Sequence, residues 1–337
     1  MSGDPKSRAV SKAGFALPSV LFVAAMVSLV FLVAIQALGS LAEETRRTKA
    51  GADFEAAALT LEARATFIAA TAPVGPSGLL QSNAAKAPMV LTLDGAPYAV
   101  SQDLSLSAQD EAGLINLDNL AAPAKARLVA ALGVAPVLQP TVLARLSDYM
   151  DPTASRRPQG ADASDYARQN LPPPPTGPLR SAVQILGVMG LRQAMPAATW
   201  RSLRDDITAD PSSLVTNVNT TTPVAMAVLY GMDGRQVAQV LAARAQAPFT
   251  DLEDLGRAAG VTLHGDNELI FSMPSGRVAL KIADWRDGLV YRSRLFLSPQ
   301  DETRPFWVVE PNLSSQIEAE KKATPPSNAP RFPDPAA

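Results

Sequence analysis

The chain has 337 residues and a formal net charge of −2, long enough for one large or two modest cores and without a global field to recruit nucleic acid or anionic lipid. It has no cysteine and a single histidine, His264, which excludes disulfides, a thiol nucleophile, a zinc–thiolate site and any paired-histidine mechanism. With 47% hydrophobic and 18% charged residues, it suits a globular body with one membrane stretch rather than several.

Residues 1–14, MSGDPKSRAVSKAG, set Lys6, Arg8 and Lys12 against Asp4. From Phe15 to Ala42 no residue carries a formal charge. As a helix that run measures about 42 Å, enough to cross a hydrocarbon core of about 30 Å with some tilt. The positive leader is expected to stay cytoplasmic, which puts everything after Ala42 on the far side. A secretory signal peptide would have a shorter apolar core followed by a small-x-small cleavage site. Here Gly39-Ser40-Leu41-Ala42 runs on into a further helical pattern. A plain signal anchor stays open as an alternative.

The boundary Gly14-Phe15 is more specific. A basic leader ending in Gly, then Phe and an uninterrupted apolar helix, resembles the type IV prepilin class. That resemblance implies cleavage by a membrane peptidase between Gly14 and Phe15, with Phe15 N-methylated and the helix retained. It also exposes a departure: Ser19 occupies the fifth mature position, where pilins usually carry Glu. A carboxylate buried in lipid is costly unless paired, and within the class its absence is typical of the tip subunit, which makes Ser19 an assembly position. Pro18 falls fourth in the mature chain, where backbone N–H groups lack intrahelical partners anyway.

The helix is predicted to continue beyond the membrane. Phe54, Ala58, Leu61, Ala65 and Ile68 form an apolar stripe at alternating spacings of four and three, ended by Pro73, Gly75 and Pro76. Strand-like runs follow at Met89–Leu93 and Tyr98–Ser101, with Asp94-Gly95 between them as a turn. Near the C-terminus, Arg277–Ala283 alternates Val278, Leu280 and Ile282 against Lys281. Leu289–Leu297 sets Leu289, Tyr291, Leu295 and Leu297 on one face and Arg292 and Arg294 on the other, with Asp287-Gly288 in the connection. Phe306–Val309 is expected to close an antiparallel sheet. Residues 311–337, rich in Pro, Ser, Ala and charge, read as a disordered tail.

The middle, roughly Asn116 to Asn267, is predicted to be helical and contains an approximate echo. Asn116–Pro123 leads to Ala130–Gly133, and Asn217–Pro223 leads to Val228–Gly231. Each reads as a polar turn capping a short helix that ends at Gly.

Asp110-Glu-Ala-Gly-Leu-Ile-Asn-Leu-Asp-Asn119 resembles a segment of the type II secretion minor pseudopilin K component (GspK family). Further landmarks follow in family order: Leu146–Asp151, Arg157–Asp162 with Tyr166, Leu186–Gly190, Val218–Thr220, and Arg244 leading to Pro248–Leu252. The resemblance runs from the leader to about Glu310. It implies an α+β pseudopilin fold, a long N-terminal transmembrane helix packed on an antiparallel sheet, with a large all-α insertion of SAM or helix-hairpin-helix type. The expected organisation is a leader (1–14), a transmembrane helix (15–42), the pseudopilin helix and first strands (43–116), the insertion (117–267), the C-terminal strands (268–310) and the tail (311–337). The implied role is at the tip of a pseudopilus that exports folded proteins across the outer membrane. The expected partners are the other minor pseudopilins, the major pseudopilin, the prepilin peptidase and the inner membrane, with the C-terminal body in the periplasm and no nucleic acid.

No G-x-S-x-G, H-E-x-x-H, S-x-x-K, Walker A or Rossmann pattern occurs, so nothing points to an enzyme. Asp148, Asp151, Asp162 and Asp165 flank a turn-rich segment, Pro152–Gly160. Hard carboxylate oxygens suit calcium, and the resembled family binds calcium in its helical domain. Here, however, Pro152 and Thr153 stand where a second acid is common, and Arg156 and Arg157 offer salt bridges instead. Both readings are open. Residues 217–255 also look like a helix-hairpin-helix of DNA-binding proteins, with the turn Gly231-Met-Asp-Gly234. From Leu214 to His264, three arginines face four acids, a poor balance for phosphate contact.

Overall fold

The computed structural model describes residues 16–84, 87–151, 156–175, 177–263, 270–298, 301, 303–315 and 328–333. Gly14, Phe15 and His264 lie outside them.

Helix α1 spans Ala16–Thr71. Its first half is the one helix, among the described residues, long and apolar enough to cross a membrane, with a mean hydropathy of 2.6 over its best window. Its large apolar side chains, from Val20 through Phe31 to Leu41, are all exposed. Pro18 is the third described residue of α1. From Ala58 on, the predicted stripe is buried at Ala58, Leu61, Ala65 and Ile68. The helix stops at Thr71, two residues before Pro73.

Strands β1 (Val74–Gly75), β2 (Gly78–Leu80) and β3 (Met89–Thr92) form a small antiparallel sheet. β4 (Asp94–Ala99) and β5 (Leu104–Asp110) begin a second one. The expected hairpin across Asp94-Gly95 is therefore corrected: β3 and β4 lie in different sheets, and Asp94-Gly95 opens β4. The physical reason is a bulge between Asp94 and Pro97, where Gly95 takes φ +79°, a bend that glycine supplies without cost.

The main sheet is five-stranded, in the order β12-β11-β10-β5-β4, with β10 (Arg277–Asp284), β11 (Leu289–Leu297) and β12 (Phe306–Ser315). All its neighbours are antiparallel. The predicted alternation holds. Leu280 and Ile282 lie opposite Ala108 and Leu106 of β5, and Ile282 also lies opposite Tyr291 of β11; all five are buried. This face receives the end of α1 from Ala58 on, where the Tyr291 hydroxyl donates to Glu62 Oε2 at 2.8 Å. The other face carries Ser105, Ser107, Lys281, Arg292 and Arg294. The β10–β11 turn is held by Asp284, whose Oδ1 accepts the N–H groups of Arg286 (2.9 Å) and Asp287 (3.2 Å), and by Gly288 at φ +64°.

Between β5 and β10 the chain is mostly helical: α2 (Ala122–Ala131), α3 (Gln139–Tyr149), α4 (Ala163–Arg168), α5 (Leu191–Ala194), α6 (Ala197–Leu203), α7 (Pro223–Tyr230), α8 (Gly234–Arg244) and α9 (Leu252–Ala259). Two short parallel pairs punctuate it, β6 (Ile115–Asn116) with β7 (Ile207–Thr208), and β8 (Thr216–Asn217) with β9 (Ile270–Phe271). One core gathers Leu128, Leu132, Leu146, Tyr166, Leu179 and Ile185; a second gathers Val218, Met226, Val240, Phe249, Leu252 and Leu255. The sequence echo corresponds to α2 and α7. Each has proline in its first turn, and each is followed by a left-handed glycine, Gly133 at φ +75° and Gly231 at φ +72°. Arg127 of α2 donates to the last carbonyls of α7, Val228 (2.6 Å) and Leu229 (2.7 Å), satisfying groups that a helix end leaves open.

The tail departs from expectation. β12 runs past Pro311 to Ser315, and Asn328–Pro333 is described, with Arg331 bridging Ala99. Proline suggests a strand stop, but an edge strand tolerates it where the missing N–H faces outward. A bulge at Glu310 (φ +53°) absorbs the irregularity.

Candidate functional site

The residues on which the molecule converges lie where the helical segment leaves and rejoins the sheet. Asp110, the last residue of β5, is fully buried. Its Oδ1 accepts from Ala112 N (3.2 Å), Ser275 N (3.1 Å) and Ser275 Oγ (2.7 Å). Its Oδ2 accepts from Asn217 Nδ2 and Thr220 Oγ1, both at 2.9 Å. One carboxylate thus ties the exit strand, the polar turn before α7 and the re-entry to β10. Gly113 must be glycine here, since a Cβ would lie 2.3 Å from the Thr220 carbonyl oxygen. Asn116 extends the knot, donating to the carbonyls of Asp210 (2.8 Å) and Ser213 (2.9 Å) and accepting from Asp210 N (3.1 Å).

The polar sheet face forms a second set of ties. Asp205, just after α6, accepts from Arg292 Nε (2.8 Å) and Nη2 (3.1 Å) and from Lys281 Nζ (2.8 Å). Burial alone would raise its carboxyl, but the two cations win and hold it at about 2. Glu111 makes a bidentate pair with Arg294, and Thr208 Oγ1 donates to Glu111 Oε2 at 3.1 Å. Burial would lower the Arg294 guanidinium; the Glu111 contact more than offsets it and raises it. Arg277 pairs with Asp210. A cleft of about 1030 Å³ opens beside these pairs, lined among others by Trp200, Arg204, Asp205, Lys281, Arg292 and Glu310. The sequence showed Arg292 and Arg294 as a polar strand face; their acidic partners were not foreseen, because Asp205 is 87 residues from Arg292.

The four aspartates proposed for calcium occupy two places. Asp148, at the end of α3, accepts Arg157 Nη1 at 2.7 Å, Arg157 N at 3.1 Å and Ala161 N at 3.0 Å. Asp151 meets the other arm of Arg157, at 3.1 Å. Asp162 caps α4, accepting from Ser164 N (2.9 Å) and Asp165 N (3.2 Å), while Asp165 Oδ2 accepts Asp162 N at 3.0 Å, a reciprocal capping box. Asp165 also faces Arg156 at 3.4 Å and pairs with Arg168. The Ser164 hydroxyl lowers the carboxyl of Asp162, and the Asp162 N–H lowers that of Asp165. Both oxygens of Asp148 and of Asp165 face N–H donors and guanidinium groups. No group of three or more His, Asp or Glu side chains able to hold a metal occurs among the described residues. The ion-paired reading is the one the geometry matches. Tyr166 completes this corner: its hydroxyl accepts Met189 N at 2.9 Å, and burial pushes its pKa up to about 12.

The hairpin between α7 and α8 is equally committed. Asp233 caps α8, its Oδ1 accepting Gln236 N at 2.9 Å, and so fills the helix N-terminus where a phosphate would sit. Arg244 turns inward, donating to the Thr221 carbonyl at 2.9 Å. Arg257 pairs with Glu253 (3.2 Å) and Asp254 (2.6 Å). Ser19 lies on the exposed first half of α1.

Residues 103–212, which include Asp110, Glu111 and the four aspartates, match the family described as Type II secretion system (T2SS), protein K. The fold is similar to that of a chain in the crystal structure of the GspK–GspI–GspJ complex from the enterotoxigenic Escherichia coli type 2 secretion system. That match has a TM-score of 0.52 and 16% identity, and covers 81% of this chain and 99% of the other. No curated protein matches. Residues 103–212 are thus similar to the type II secretion protein K family, and a pseudopilin fold like that of the complex's chain extends over most of the protein.

Proposed function

We propose that the chain works at the tip of the type II secretion pseudopilus, helping to initiate and cap the filament. In this reading the prepilin peptidase cuts between Gly14 and Phe15, Phe15–Ala42 holds the protein in the inner membrane, and the body stands in the periplasm. Ser19 leaves it without the buried carboxylate that a neighbour above would have to neutralise. The partners are the other minor pseudopilins, with the major pseudopilin below. Residues 117–267 act as an inserted all-α domain, residues 43–116 and 268–310 as the pseudopilin domain proper. The acidic residues Asp148, Asp151, Asp162 and Asp165 serve as structural ion pairs and caps.

The observation that carries this reading is the way the helical segment is fixed to the sheet by Asp110, Asp205 and Glu111. Bulk that hung from a flexible tether would not block a growing filament; bulk clamped by several buried polar contacts does. The DNA-binding alternative loses support, because Asp233 fills the hairpin helix end and Arg244 and Arg257 are engaged. Co-purification of the full chain from membranes that also express the other minor pseudopilins tests the proposal. A stable complex, retained through size exclusion, is expected. Elution of this chain alone would refute the tip assignment.

A further inference from the structure

β4 is an edge strand of the main sheet, and such an edge invites strand addition by another chain. β4 is partly guarded: Pro97 has no N–H, and the bulge between Asp94 and Pro97 spoils the ladder. Ala99 is the weak point. It lies opposite Ser105 of β5, yet its N–H and C=O are both taken from the outer side, by the chain's own C-terminal segment. Ala99 N donates to the Pro330 carbonyl at 2.8 Å, and Phe332 N donates to the Ala99 carbonyl at 2.9 Å, a parallel bridge between Ala99 and Arg331.

The side chains lock this segment in place. Phe332 is 7% exposed and meets Tyr98 edge-on, with ring centroids 6.4 Å apart. The Arg64 guanidinium lies 5.3 Å from the Phe332 ring centroid and donates to the Pro333 carbonyl at 3.0 Å. An aromatic seat, a cation over its ring and a backbone bridge together make a built peptide site. The reach is sufficient. β12 and β4 are the opposite edges of the sheet, about 19 Å apart at about 4.8 Å per strand, and the dozen residues after Ser315 can span about 40 Å.

We propose that the outer edge of β4, with Arg64 and Tyr98, is a binding groove for an extended Pro-x-aromatic-Pro segment, that its resident occupant is Pro330–Pro333 of the same chain, and that this occupancy keeps a second copy from adding a strand at Ala99. The segment is a strap with a stated purpose: it leaves the chain free to meet partners through other surfaces without edge-to-edge self-association. The short reach from Ser315 favours docking within one chain over exchange between two.

The absence of cysteine allows a clean test on the full chain in detergent. In the double variant Ala99→Cys/Arg331→Cys, mild oxidation can link only the introduced pair, and facing residues on neighbouring strands are within disulfide reach. Near-complete conversion to an intramolecular disulfide in the monomer band is expected. Persistent free thiols, or disulfide-linked dimers only, would overturn docking in cis. The shielding role is read separately. Phe332→Ala, and truncation after Ser327, should each shift the sedimentation profile from monomer towards dimer at equal concentration. Profiles unchanged from the parent chain in both variants would overturn that role, and tryptophan fluorescence like the parent's verifies that the body is folded.

Discussion

Asp110 receives hydrogen bonds from residues 107, 110 and 165 positions further along the chain. No local pattern announces such a role: an acid at the end of a strand reads equally well as a solvated turn residue. Replacing it with alanine removes the near acceptor of the Asn217 amide, the Thr220 hydroxyl and the Ser275 donors, leaving the first two only longer contacts of 3.4 Å to the Pro76 and Asn217 carbonyls. Each stranded donor costs about 1–3 kcal/mol, so Asp110→Ala should lose about 3 kcal/mol or more. Thermal unfolding of the full chain in detergent, followed by tryptophan fluorescence, measures it, and an unchanged midpoint would mean the knot contributes nothing. The same sequence segment owes its other residues to tertiary neighbours: Glu111 to Arg294, Gly113 to the Thr220 backbone, and Asn116 to Asp210 and Ser213. Family resemblance marked this segment; only the packed structure explains it.

Secondary-structure elements were more legible, because hydrophobic period reports directly on which face is buried. α1 shows both regimes, an unbroken apolar run and then a stripe from Ala58 to Ile68. Gly14→Val tests the proposed processing of its leader. A branched side chain at the cut should leave residues 1–14 attached, seen as a larger product on a gel, and normal processing would count against the prepilin scheme. The region of α3 and α4 offers a second check. With Asp148 and Asp165 already engaged by Arg157, Arg156 and Arg168, millimolar calcium should leave the unfolding midpoint unchanged. A bound ion at a hundredfold excess over its dissociation constant would instead add about 2.7 kcal/mol, and such a rise would restore the metal site. The misread turn at Asp94-Gly95 has the opposite lesson. A local Asp-Gly signal specifies a bend, and whether the bend reverses a strand or passes it to another sheet depends on the partners available.

At the scale of the whole body, a few charged side chains decide how the helical segment sits on the sheet. Asp205 is the most telling. Its carboxyl, ordinarily near 3.8, is held at about 2, so its ionised form stabilises the folded state. That contribution is complete above about pH 4 and is lost as pH falls towards 2; its size is about 2 kcal/mol. Asp205→Asn should therefore lower stability by about that amount at pH 7. It should also flatten the acid-induced fall between pH 4 and 2, as followed by thermal unfolding across that range. A variant with the parent's pH profile would show that the Lys281 and Arg292 contacts are idle. Local patterns alone were enough for the apolar run and the stripe of α1, the alternating strands of the C-terminal hairpin and the paired helices followed by Gly133 and Gly231, since each follows from a local period or a terminating residue. The pairing of β5 with β10 across the helical segment, the capture of the arginine face by Asp205 and Glu111, and the return of Phe332 to the edge of β4 emerge only on packing. These are contacts between residues far apart in the chain, and their free energy comes from burying charge and aromatic surface together, which no segment does alone.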